Sequence, residues 1–183
     1  QALIKNLLDA NAIEEGRFIS KLERCDLSAL ARESVENNQM AATRKGIALE
    51  LDAPAGLAVT ADRGAAVQIL DNLVSNAIKY SPPHTTVRVG VAAADGWTTV
   101  SVRDQGPGLS VEDQKKLFQK FTRLTARATG GESSNGLGLS IVKRLAEAMH
   151  GAVGCDSVLG RGATFYVRLP SEADERAAAL TGR

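Results

Sequence analysis

The chain has 183 residues, 44% of them hydrophobic, with 22 lysines and arginines against 21 aspartates and glutamates. This is the size and polarity of one well-buried globular domain with at most a short appendage, and no apolar run reaches the roughly 20 residues that span a bilayer. A net charge of +1 excludes the broad basic footprint of a nucleic-acid or anionic-membrane binder, so any phosphate recognition must be local.

In chain order, Leu3, Leu7, Leu8 and Ile13 fall close to helical spacing and read as the last turns of an amphipathic helix over residues 1–16. The chain starts with Gln rather than Met, and the expectation is a fragment of a longer protein. Residues 17–25 read as a linker. Asp26 can cap a helix running to about Thr43, with Gly46 as its stop. Ile47, Leu49 and Leu51 alternate as a short strand. From Arg63 to Tyr80 an apolar stripe at Ala66, Ile69, Leu70, Leu73, Val74 and Ala77 predicts a second helix, ended by Pro82 and Pro83. Thr86 to Val91 and Trp97 to Arg103 alternate around an Ala-Asp-Gly turn and predict an antiparallel hairpin.

Ser110 with Asp113 marks a capped helix start leading through Leu117 and Phe118. Residues 122–137 lose periodicity, as functional connections often do. Helical spacing resumes at Leu139, Val142, Leu145, Ala146 and Met149, with Gly151 as the expected end. Gly154 to Gly162 reads as turn, Ala163 to Leu169 as a last strand, and residues 171–183 as a loosely held tail. This interleaving of helices and strands predicts a two-layer α/β sandwich, with helices on one face of a mixed, mostly antiparallel sheet. Cys25 and Cys155 match no metal spacing and have no secretory context, so reduced thiols and a cytoplasmic location are expected.

Three segments carry chemistry. Asn72, Asn76 and Tyr80 are spaced by four, with Lys79 three after Asn76, so an amide oxygen and an ammonium can serve a metal ion and phosphates from one helix face. Asp104-Gln105-Gly106-Pro107-Gly108 follows a strand, where a carboxylate can accept from an exocyclic amine and glycines allow close backbone approach. Gly136-Leu137-Gly138 opens a helix and exposes amide groups at its positive end, a phosphate cradle. It lacks the lysine and hydroxyl of a P-loop and does not follow a strand as a dinucleotide fingerprint does.

In this order and at these distances the segments resemble the ATPase-kinase superfamily of histidine kinases, Hsp90 chaperones, DNA gyrase and MutL proteins. Asn72 to Tyr80 looks like its N box, Asp104 to Gly108 like its first glycine box, Gly136 to Gly138 like its second, and Gly160 to Phe165 like its closing glycine box. The resemblance covers about residues 26–170 and implies a Bergerat-type ATP-binding fold with ATP and Mg²⁺. Position by position it implies Asn76 as Mg²⁺ ligand, Lys79 on phosphate and Tyr80 beside the nucleotide. Asp104 would bind the adenine amine, with Gly106 and Gly108 in the turn beneath the base and Thr164 supporting through water. Gly136, Leu137 and Gly138 would offer amides to phosphate. Phe118 and Phe121 resemble an F box packing under a lid formed by residues 122–137, with Arg123 and Arg127 as further lid candidates.

Within the superfamily, hydrolysing branches carry a glutamate four residues before the metal-binding asparagine. Here that position is Asn72, whose amide cannot take a proton from water. The F box and the paired asparagines resemble sensor histidine kinases, and Leu7 to Arg17 resembles the end of their dimerisation helix. The resemblance implies transfer of the ATP γ-phosphoryl group to a histidine on the dimerisation domain, then to an aspartate of a response regulator receiver domain. Neither His84 nor His150 has an acceptor's context, and both are expected on the surface. The fragment is expected as a monomer or weak dimer and the intact protein as a homodimer. Nucleic acid and membrane are not expected partners of the fragment, although the intact protein could be anchored. Alternatives are a non-enzymatic ATP-binding regulatory module, a serine kinase of the anti-sigma type and an ATPase clamp.

Overall fold

The computed structural model describes residues 21–119, 122 and 136–172. Asp26 and Asp62 each begin a helix by accepting a hydrogen bond, from the amides of Ala29 at 3.0 Å and Ala65 at 2.9 Å. They start α1 (Leu27–Arg44) and α2 (Arg63–Tyr80), and each satisfies one orphan amide of a first turn. Gly46, at φ 67°, closes α1: its amide and that of Ile47 bond back to the carbonyls of Thr43 and Ala42 at 3.0 and 2.9 Å. Such a left-handed closure favours glycine.

Five strands form the main sheet in the order β2-β4-β5-β7-β6: β2 (Ala48–Asp52), β4 (Thr86–Ala94), β5 (Trp97–Arg103), β6 (Ala152–Ser157) and β7 (Ala163–Pro170). β2 runs parallel to β4 and the other neighbours pair antiparallel. The hairpin turns at Asp95 and Gly96, both with positive φ, the backbone hand that suits a two-residue connection between twisted strands. Val87, Val89, Val100, Val102, Val167 and Leu169 bury one face of the sheet. Against it pack α1, α2 and α4 (Gly138–Ala148), which contribute Leu30, Leu70, Leu73, Val74 and Leu145. The expected two-layer sandwich is the architecture found.

Several local expectations are corrected. The segment read as a linker contains β1 (Glu23–Asp26), paired antiparallel with β3 (Ala58–Ala61) in a second small sheet. Ser171, expected in the tail, bridges to Val59. Half of the supposed turn from Gly154 to Gly162 is β6, whose alternation is masked by Gly154: a Cβ there would sit 2.2 Å from the Tyr166 ring on β7. The helix initiated at Ser110 is short, α3 (Val111–Lys116), and ends before Leu117 and Phe118. In α4 the left-handed closing residue is His150, at φ 59°, rather than Gly151. Gly151 is needed because a Cβ would stand 2.4 Å from the carbonyl oxygen of Arg168. Both histidines are exposed, as expected. The helix expected over 1–16, most of the tail, Phe121, Arg123 and Arg127 lie outside the described residues.

Candidate nucleotide site

The C-terminal half of α2 presents Asn72, Asn76, Lys79 and Tyr80, all half-buried, on its polar side. α4 packs beside it and starts at Gly138, where a Cβ would lie 2.9 Å from Asn72 Oδ1 and 3.8 Å from Asn76 Nδ2. The absence of a side chain at Gly138 therefore lets the first turn of α4 face the two asparagines directly. Gly136 holds φ 63° just before it, and Leu137 is buried, with its carbonyl accepting from Ser140 Oγ at 2.8 Å. Asn72 Nδ2 donates to the carbonyl of Gln68 at 2.8 Å, which turns its amide oxygen toward α4.

The other wall is made largely of backbone. Asp104 is 5% exposed, and its Oδ1 accepts from the amides of Gly106 at 2.8 Å and Ala163 at 3.1 Å. Among the described residues nothing donates to its Oδ2. Burial raises the carboxyl pKa above the ordinary aspartate value, and the two amide hydrogen bonds oppose that rise. The turn itself is over-determined. A Cβ on Gly108, at φ 66°, would lie 2.1 Å from the carbonyl oxygen of Val158, and one on Gly162, at φ 79°, 2.3 Å from that of Asp104. Ser157 Oγ accepts from the Leu109 amide at 2.9 Å and donates to the Gly162 carbonyl at 2.8 Å. Gln114 Nε2 donates to the carbonyls of Leu109 and Ser157, both at 3.1 Å. Gly106 packs against the carbonyl of Tyr80, 2.9 Å from where its Cβ would be, so the two walls touch at the end of α2.

The structure thus brings Asn72 and Asn76 to Gly136, Leu137 and Gly138, and joins Tyr80 to the turn holding Asp104, Gly106 and Gly108. It does not bring Thr164 to Asp104. Strand alternation puts Thr164 on the solvent face of β7, opposite Val167 and Leu169, with exposed Arg103 and Asp156 as its neighbours in register. The group from that segment that meets Asp104 is the amide of Ala163, a backbone donor that side-chain identities cannot reveal. Phe118 is half-buried after α3. Cys155 stands on β6 beside this region; burial first, then the charges of Asp104 and Asp156, push its thiol up to about 12, so it is protonated at neutral pH.

Lys45 is a participant that sequence reading missed. Its Nζ donates to the carbonyls of Ile78 and Lys79, both at 2.7 Å, and so satisfies the end of the helix that carries the polar face. Ser34 Oγ, on α1, donates to Asp71 Oδ1 at 2.6 Å farther along the same pair of helices. No local pattern signals either tie, because each joins residues more than 30 positions apart.

Residues 61–173 match the family described as histidine kinase-, DNA gyrase B-, and HSP90-like ATPases. The chain belongs to this family. Among its histidine kinase relatives, the sensor-like histidine kinase SenX3 of Mycolicibacterium smegmatis is 34% identical over 95% of the chain and 47% of that protein. The circadian input-output histidine kinase CikA of Synechococcus elongatus is 34% identical over 93% of the chain and 23% of that protein. The chain thus spans less than half the length of these relatives. Full-length ShkA in complex with AMPPNP superposes with a TM-score of 0.77 at 32% identity, covering 93% of the chain and 36% of ShkA. The mycobacterial sensor histidine kinase MprB superposes at 0.73 and 26% identity, covering 81% of the chain and 98% of that structure. The fold is that of histidine kinase catalytic domains, and no helix among the described residues is long and apolar enough to cross a membrane.

Proposed function

We propose that this chain binds ATP between α2, α4 and the Asp104 turn and serves as the catalytic domain of a sensor histidine kinase. Within the longer protein it passes the γ-phosphoryl group to a histidine of the dimerisation domain, for relay to a receiver-domain aspartate. The observation that carries the reading is the Asp104 carboxylate. It is buried, one oxygen is fixed by two backbone amides, and the other has no donor among the described residues. Ser28 Oγ is the one buried side-chain polar atom left without a partner among the described residues, so Asp104 Oδ2 is an accessible acceptor in an otherwise buried carboxylate, and the exocyclic amine of adenine is a donor that fits it.

The remaining contacts follow from position. Lys79 offsets phosphate charge and the α4 amides at Gly136 to Gly138 receive phosphate oxygens, while Tyr80 lies beside the nucleotide and Phe118, with Phe121, supports the lid. Among the described residues no group of three or more His, Cys, Asp or Glu side chains could hold a metal. A divalent ion here must therefore share its shell between a few protein oxygens, water and the nucleotide. Mg²⁺ fits that donor set, with Asn76 as the protein ligand; when bound it supplies neutralisation of the phosphate charge. In the transfer itself the acceptor imidazole nitrogen gains a bond to phosphorus as the bond to the β-γ bridging oxygen breaks, leaving ADP. The protein's part is positioning and electrostatics. Asn72, an amide, gives water no base, which favours transfer over hydrolysis.

The test is calorimetric titration of ATP with Mg²⁺ into the chain and into Asp104→Ala, followed by addition of a separate histidine-bearing dimerisation domain with labelled ATP. Binding that weakens tenfold or more in the variant, with label on the added domain, is the expected outcome. No binding by the unaltered chain would sink the proposal.

A further inference from the structure

The face of the sheet turned away from the helices carries a concentration of positive charge. In the antiparallel register Arg88 stands directly opposite Arg103. Arg161, from the hairpin between β6 and β7, joins them around a hollow of about 220 Å³ that Thr86 and Gln105 also line. Like charges directly opposite on neighbouring strands destabilise a sheet, so this pairing calls for a compensating anion. Arg88 has one: its Nε lies 2.6 Å from Glu50 Oε2. Arg103 and Arg161 form no ion pair among the described residues.

Nearby carboxylates do not fill that role. Asp104 also borders the hollow, but its carboxyl is buried and its Oδ1 is taken by Gly106 and Ala163. Asp156 shares the solvent face but lies two strands from Arg103, across Thr164. With 22 basic and 21 acidic residues in the whole chain, three guanidinium groups around one hollow are a local excess. Gln105 Oε1 accepts from the Thr86 amide at 2.7 Å, which pins that side chain at the edge of the hollow with its NH₂ group as a further donor.

We propose that this hollow is a second anion site, separate from the nucleotide site, which binds phosphate-type oxyanions. Arg103 and Arg161 are its principal ligands, and Arg88 and Gln105 assist. Planar guanidinium groups match the paired oxygens of a phosphoryl group and hold them bidentately. The two sites lie back to back on the 104–106 turn, so an anion in the hollow and a ligand on Asp104 bias the same backbone. Any coupling between them is reciprocal.

Inorganic pyrophosphate is the probe, titrated into the ¹⁵N-labelled full chain and followed at assigned backbone amides, beside Arg103→Gln/Arg161→Gln and a sodium chloride control of equal ionic strength. Saturable shifts at Arg103, Gln105 and Arg161, weakened at least tenfold in the double variant and absent with chloride, are expected. Because Arg161 lies on an exposed hairpin, Arg161→Gln alone serves as the folded control should the double variant misfold, with an expected weakening of about threefold. Shifts confined to Asn76 and Gly138, shifts that chloride reproduces, or shifts unchanged by the substitutions would overturn the assignment.

Discussion

The two walls of the candidate nucleotide site are built on different principles. The α2 wall consists of side chains displayed on a regular helix, whose backbone would be the same with other residues at Asn72, Asn76 and Lys79. The Asp104 wall is a set of interlocked turns in which Gly108 and Gly162 stand where no Cβ fits and Asp104 is held by amides. Substitution on the first wall should cost function and leave the fold intact. On the second, substitution of the glycines should cost fold and function together, and only a change at Asp104 that keeps its shape should separate them.

The largest effect that would sharpen this contrast is expected for Gly108→Ala. A left-handed residue gains a Cβ against the Val158 carbonyl, a strain for which the neighbouring hairpin must open, at a cost of about 3 kcal/mol or more. Urea denaturation measures it; an unchanged midpoint would break the comparison. Asn76→Ala should lower phosphoryl transfer on the order of 10²-fold, while stability stays within about 0.5 kcal/mol because the residue is half-buried on a helix. Loss of cooperative unfolding in that variant would count against the distinction.

Lys45→Met tests the tie that holds the C-terminal end of the helix wall. Leaving the carbonyls of Ile78 and Lys79 without their donor should cost about 1–3 kcal/mol and weaken ATP binding through Lys79 and Tyr80, with Lys45→Arg recovering part of both. Equal melting of Lys45→Met and the parent chain would show that the tie is dispensable. The smallest stability change is expected for Asp104→Asn, which keeps an oxygen for both amide donors. Because burial raises the carboxyl pKa in the folded state, the folded chain holds this proton more tightly than the unfolded one. The stability linked to Asp104 is full below the ordinary aspartate pKa and is lost as pH rises through the raised folded value. The variant removes that loss, so it should melt slightly higher than the parent at pH 7 and no higher at pH 3, while ATP affinity falls at least tenfold. A parent-minus-variant difference that does not change with pH would contradict this.

The same contrast explains what the sequence could reveal. α2 was legible because an unbroken apolar stripe and the Pro82-Pro83 stop agree, and its functional residues are side chains at helical spacing; its Asp62 cap is what the structure adds. The Asp104 turn was legible as glycines, but its second donor was not, since an amide at Ala163 leaves no mark and attention falls on the neighbouring threonine. β1 and β3 are four residues each, too short for alternation to register. β6 was hidden by Gly154, whose lack of a side chain answers to the Tyr166 ring on another strand. Where packing between distant segments sets a residue, its own neighbourhood does not announce it.

The strand order also bears on how the chain comes off the ribosome. β7, the last strand of the sheet in sequence, sits between β5 and β6 and carries Val167 and Leu169 into the core. Until residues 163–170 emerge, β5 has an open edge and β6 has no neighbour, so the nascent domain waits with an adhesive strand exposed. A chain stalled short of β7 would be a substrate for chaperones rather than a slightly shortened domain.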